Sequence, residues 1–137
     1  MTKELWINLP VKDVKRSKEF FTRLGFAFNT THGDGPDSAC MLVGTKGIVV
    51  MLFSEHLFKG FTQHAMTDTK QSSEVLLSFD AESRTEIDDL AKKAEASGGI
   101  VFGKPTEIQG WMYGCRFTDP DGHRWNALYM DMSKVPG

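Results

Sequence analysis

One order of elements occurs twice along this chain. A strand, a helix and three further strands are followed, about 70 residues later, by the same series again. In the first half, Leu5, Ile7, Leu9 and Val11 alternate with Trp6, Asn8 and Pro10, the period of a strand with one buried face. Asp13 stands where a helix N-cap would, and Val14, Ser17, Phe20, Phe21 and Leu24 recur at helical spacing up to Gly25, a left-handed stop. Phe26–Thr30 reads as a strand. The polar run Thr31–Ser38 reads as a loop with nothing to bury. Ala39–Val43 and Ile48–Phe53 form a hairpin around Gly44-Thr45-Lys46-Gly47.

The second half follows the same plan. Val75, Leu77 and Phe79 alternate with Glu74, Leu76 and Ser78. Ser83 and Glu86 have capping-box spacing, Ile87, Leu90, Ala91 and Ala94 make the apolar stripe, and Gly98-Gly99 ends the helix. Ile100–Glu107, Trp111–Phe117 and Arg124–Met130 are three more strands, the last two joined by the turn Asp119-Pro120-Asp121-Gly122. These elements define an α+β fold of two tandem βαβββ modules, residues 3–54 and 74–132, within a single domain 1–137. The connection 55–73 is irregular, with room for a short helical piece; a stretch this long is often a linker or a lid. Each module should be a curved sheet with a helix on one side and an open side. Two open sides placed edge to edge would enclose a cleft.

Composition narrows the partners. At 137 residues the chain can bury about two-thirds of its unfolded surface, so it needs neither a disulfide nor a metal to fold. Sixteen Lys and Arg against eighteen Asp and Glu leave a net charge of −2, which offers no basic field to nucleic acid or anionic membrane. The longest apolar stretch, Gly47–Phe53, falls far short of the about 20 residues that span a bilayer. The charged N-terminus lacks a signal-peptide core, and Cys40 and Cys115 show no CxxC spacing, so reduced thiols and a cytoplasmic location are expected. No phosphate loop, Ser-His-Asp signature or HExxH motif occurs.

The doubled module, opening on NLPVKDVKRSKEFFTRLGF and closing on FTDPDGHRWNALYM, resembles the vicinal oxygen chelate superfamily. That group includes glyoxalase I, extradiol dioxygenases, fosfomycin resistance enzymes and bleomycin resistance proteins. The resemblance runs from Leu5 to about Met132 and rests on Val11-Lys12-Asp13-Val14, Leu24-Gly25-Phe26 and Asp119-Pro120-Asp121-Gly122 in this order. Within the superfamily the chain looks most like a bacterial branch described as glyoxalase-related. The scaffold hosts several chemistries, so the resemblance implies a fold more than a reaction. It also implies a homodimer, because similar single-pair members complete their clefts across a two-fold interface.

Glyoxalase-type members hold a divalent ion with His or Glu from four strands. Carried over by position, the resemblance puts those ligands at Trp6, Met51, Glu74 and Asn126. An indole cannot ligate, and a thioether and a neutral amide bind hard divalent ions poorly. No metal and no other cofactor is therefore expected. If Trp6 faces the cleft, alternation brings Asn8, Met51, Phe53, Glu74, Leu76, Asn126 and Leu128 to the same side. Ile7, Leu9, Val75, Leu77, Phe79, Trp125 and Ala127 then face the helices. Trp, Met, Phe and Leu with two Asn and one Glu is the make-up of a pocket for a small organic molecule.

Two functional readings follow. One is a metal-free binder of a small organic compound; the other is a glyoxalase-related lyase or similar enzyme. In the second, Glu74 is the catalytic acid or base, its carboxyl buried beside Trp6 and Met51. Glu74 can equally pair with a Lys or Arg at a wet strand end, and Asn126 can orient a ligand or satisfy Glu74. Arg116 and Arg124 can clamp a carboxylate or phosphate, or form surface ion pairs. Cys115 reads as a small buried hydrophobe. His32, His56, His64 and His123 sit in loops or at a strand end and read as solvated or structural. Phe58, Phe61, Trp111 and Met112 can close over the cleft or pack in a dimer interface.

Overall fold

Asp13 and Gly25 bracket the first helix as their chemistry dictates. In the computed structural model, which describes residues 1–136, helix α1 (Val14–Leu24) begins where the Asp13 carboxylate accepts the Arg16 N–H at 3.1 Å. It ends at Gly25, whose φ of 103° only glycine adopts cheaply. The first unit, Met1–Asp68, is built from β1 (Ile7–Val11), α1, β2 (Ala27–Asn29), β3 (Ser38–Val43), β4 (Ile48–Ser54) and α2 (Glu55–Thr62). Its sheet has the order β1-β4-β3-β2. Strand β1 runs parallel to β4, and the other pairs are antiparallel.

The second unit, Thr69–Gly137, repeats this with β5 (Leu76–Ala81), α3 (Arg84–Ala96), β6 (Ile100–Ile108), β7 (Met112–Thr118) and β8 (Arg124–Met130). Its order is β5-β8-β7-β6, again with one parallel pair, β5 on β8. The fold is α+β, two βαβββ modules, and the expected boundaries hold to within two residues in most strands. The chain's expected final residue, Gly137, lies outside the described residues.

One side chain row per sheet makes each core. Leu9, Val11, Val50, Leu52 and Met41 pack beneath Val14, Phe20, Phe21 and Leu24 of α1. In the second unit, Cys115, Phe117, Trp125 and Ala127 pack beneath Ile87, Leu90, Ala91 and Ala94 of α3. Each large side chain fully buried this way contributes about 1.5–3 kcal/mol. The Ser83 hydroxyl accepts the Glu86 N–H at 3.1 Å, as the capping spacing requires. Glu86 returns its bond one residue earlier than expected, to the Glu82 N–H at 2.9 Å.

The two edge strands start later than their alternation suggests. The β1–β4 ladder begins at Ile7↔Val50, which leaves Leu5 and Trp6 ahead of the sheet and exposed. The β5–β8 ladder begins at Leu76↔Arg124, which leaves Glu74 and Val75 outside it in the same way. An edge strand has a neighbour on one side only, so it extends only as far as that neighbour accepts its hydrogen bonds. In the connection, the expected helical piece is α2, capped by the Ser54 hydroxyl at the Leu57 N–H. Among the described residues no helix is long and apolar enough to cross a membrane.

Candidate functional site

The register fixes which side chains share the side of each sheet away from its helix. In the second unit that side carries Leu76 and Ser78 of β5, Arg124, Asn126 and Leu128 of β8, and Met112, Gly114 and Arg116 of β7. Leu76, Asn126, Leu128, Met112, Gly114 and Arg116, together with Lys104, Thr106 and Ile108 of β6, line a groove of about 410 Å³, and Arg124 stands beside Leu76 just outside this lining. Leu76, Ile108, Met112 and Leu128 supply its apolar walls; Lys104, Thr106, Arg116 and Asn126 supply its polar groups. Gly114 forms the floor. A Cβ there would stand 2.7 Å from both the Ala127 carbonyl oxygen and Leu128 Cδ2, so the groove depends on a residue without a side chain.

Polar groups in this groove are held in place and still have capacity to spare. Asn126 Nδ2 donates to Ser78 Oγ at 3.1 Å, leaving Asn126 Oδ1 to accept from a ligand. Arg116 lies over Gly103, where a Cβ would come 2.8 Å from its Nε. Phe102, the extra residue where the β6–β7 register shifts, takes the Arg116 guanidinium 5.8 Å and the Arg124 guanidinium 4.2 Å from its ring centroid.

In the first unit the corresponding side carries Asn8 and Pro10 of β1, Met51 and Phe53 of β4, and Cys40 of β3. Much of it is covered by the chain itself. The polar loop Thr31–Ser38, expected to have nothing to bury, folds over it, with a Gly33 Cβ placed 3.0 Å from Met51 Cε and 3.2 Å from Cys40 Cβ. Lys18 holds this loop through Asp34 at 2.8 Å. Phe61 of α2 packs edge-on against Phe53 at 5.2 Å.

The expected site residues therefore separate into groups. Leu76, Asn126 and Leu128 line the second unit's groove. Met51 and Phe53 are half-buried beneath the loop and α2, and Asn8 is exposed on the same side of β1. Trp6 and Glu74 precede their strands and are exposed, so the buried carboxyl expected at Glu74 is not found. Among the described residues Glu74 makes no hydrogen bond or ion pair. Pattern reading did not single out Lys104, Thr106, Ile108 and Gly114. Register shifts between Val101 and Thr106 break the period of β6, and a lone glycine inside a strand was the one available signal.

Comparison with known proteins agrees with this architecture. The profile of the Glyoxalase/Bleomycin resistance protein/Dioxygenase superfamily matches residues 5–127. The chain belongs to this superfamily. A hypothetical protein from S. aureus, SA1046, shares 32% identity with a TM-score of 0.83, over 94% of this chain and 95% of that one. A glyoxalase/bleomycin resistance protein/dioxygenase family enzyme from Burkholderia phytofirmans PsJN shares 18% identity at a TM-score of 0.78, over 91% and 96% of the two chains. A glyoxalase-related enzyme from Fulvimarina pelagi shares 19% at 0.79, over 94% and 88%. At those identities the last two are similar in fold alone. Among curated proteins none matches.

The metal centre of glyoxalase-type superfamily members does not fit these residues. The four positions carry an indole, a thioether, one exposed carboxylate and an amide already engaged with Ser78. Met51, moreover, is covered by the Gly33 loop. Among the described residues no three His, Cys, Asp or Glu side chains gather as a metal site would require.

None of the titratable groups with displaced pKa values lines the second unit's groove. Burial pushes the Cys115 thiol up to about 11, with the Asp88 charge adding to it, and burial also raises Cys40. Cys115 faces α3, its Sγ 3.9 Å from the Ile87 carbonyl oxygen, which makes it a core residue. The Arg84 guanidinium, hydrogen-bonded to Glu107 at 2.7 Å, holds that carboxyl below its usual range.

Proposed function

We propose that this chain is a binder of a small organic molecule, and that the molecule lies in the second unit's groove. The observation that carries this reading is the groove's chemistry. Four apolar side chains surround a fixed amide and two cations in about 410 Å³, within the range of small-molecule sites. Leu76, Asn126 and Leu128, which alternation brings to this side, are among its ligand-binding residues. Trp6, Asn8, Met51, Phe53 and Glu74 are further ligand-binding positions that the resemblance implies. Binding of this kind uses no four-ligand metal centre, because the donor set at those positions is wrong for one. The enzyme reading, with Glu74 as acid or base, gains no support from Glu74's exposed and unpartnered position. A homodimer is the assembly that the resemblance favours.

A thermal-shift screen against metabolites, thiol conjugates and antibiotics tests the reading, since a ligand of the folded state raises Tm. Leu76 is 52% exposed, so Leu76→Gln leaves the core intact while altering the groove wall. Compounds that raise the Tm of the native chain and lose that effect in Leu76→Gln support the groove. Equal shifts in both proteins would overturn it, and one tightly held Ni, Zn, Fe or Mn per purified chain would overturn the metal-free assignment.

A further inference from the structure

We infer that the molecule held in this groove is an organic anion: an apolar body with an oxyanion head clamped between Arg116 and Arg124. The inference rests on the groove reading and names the ligand class for it. Arg116 pairs with Asn126 across the β7–β8 ladder and Arg124 pairs with Thr118, so the two arginines are diagonal neighbours on one side of the sheet. Like charges placed this close repel unless something offsets them. Here a shared aromatic ring, Phe102, steadies both guanidiniums through the partial negative charge of its face, but a ring carries no net charge to neutralise them.

No carboxylate supplies one either. Among the described residues neither arginine has an ion-pair partner, and neither does Lys104, which lines the groove with Arg116. On this side of β5 the acidic residue is Asp80, which pairs with Leu128, four ladder steps beyond the Leu76↔Arg124 pair. Glu74, ahead of β5, also forms no ion pair. The fork of N–H donors on each guanidinium is therefore available, and two such cations against one ring, beside an apolar wall, match a carboxylate or phosphate on a hydrocarbon body. Leu76 and Arg124 stand side by side in the ladder, which sets the apolar wall next to the charged head. Asn126 Oδ1 adds an acceptor for a hydroxyl or amine farther along the ligand.

Three probes of equal chain length separate head group from body: octanoate, octyl phosphate and octanamide. Titrations followed by the methyl NMR signals of Leu76, Ile108, Met112 and Leu128 report the groove itself. Octanoate or octyl phosphate should bind at least about tenfold tighter than octanamide, and the tighter of the two identifies the head. The Arg116→Gln/Arg124→Gln double variant should weaken the anions at least about tenfold more than the amide, which removes their advantage over it. If octanamide binds as well as the anions, or if the double variant keeps the anions' advantage, the anion inference falls while the groove reading stands. If none of the three probes moves those methyl signals, the groove reading falls and the inference goes with it.

Discussion

The Asp119 carboxylate accepts the indole N–H of Trp125 at 3.2 Å. The same carboxylate accepts the backbone N–H groups of Asp121 at 3.0 Å and His123 at 3.1 Å, so one buried acid ties the turn before β8 to the largest core side chain. Burial raises its pKa, with the His123 charge and the indole bond pulling the other way. Asp119→Ala leaves these donors without their acceptor and should cost about 1–3 kcal/mol in urea unfolding. Asp119→Asn can still accept from the backbone but turns an amide N–H toward the indole. Trp125→Phe removes that opposing donor, so the two changes together should cost less than their sum. Simple additivity would show that the indole bond contributes nothing.

Gly114 is the position where groove and fold depend on the same missing atom. Its Cβ would meet a backbone oxygen, which can move only if β8 moves with it. Gly114→Ala should therefore destabilise the chain by about 1–3 kcal/mol, the usual range for overpacking. A ligand found for the groove should bind the variant more weakly as well. A variant of native stability and affinity would mean that β7 and β8 stand farther apart than described.

Cys115 gives a dependence on pH with a defined sign. Its thiol holds its proton up to about pH 11 in the folded chain, against 9.0 for an unperturbed cysteine. Between those values the unfolded chain binds fewer protons than the folded one, so stability falls as pH rises through that window. Below it the residue adds no slope. Cys115→Ala should flatten this part of the stability curve. In the folded chain near neutral pH, Cys115 should resist thiol reagents that modify it once urea unfolds the protein, because the reactive species is the thiolate. Rapid modification without denaturant would contradict its place under α3.

Local pattern carried most of the fold because both halves obey simple periods. Leu9, Leu52, Trp125 and Ala127 are buried, and Asn8, Met51 and Asn126 lie on the opposite side, as alternation requires. Two kinds of feature were not legible. The ends of β1 and β5 depend on how far a neighbouring strand reaches, so Trp6 and Glu74 fell outside the sheets although their alternation was unbroken. The cover over Met51 and the bulges in β6 are tertiary, and neither a polar loop nor a Gly103–Thr106 stretch announces what it will pack against.

The loop over Met51 offers a way to separate backbone conformation from packing. Gly33 has a φ of 71° and sits within van der Waals range of Met51 and Cys40. Gly33→Ala meets two obstacles: a left-handed backbone that costs an ordinary residue about 1–2 kcal/mol, and a Cβ 3.0 Å from Met51 Cε. That methyl is the far end of a flexible side chain and can swing aside, so the backbone should dominate. The cost of Gly33→Ala should then be nearly the same in a Met51→Ala background, with a coupling below about 0.5 kcal/mol in urea unfolding. If the cost disappears once Met51 is truncated, the loop is limited by the space above the thioether, and Gly33 is there to make room for it.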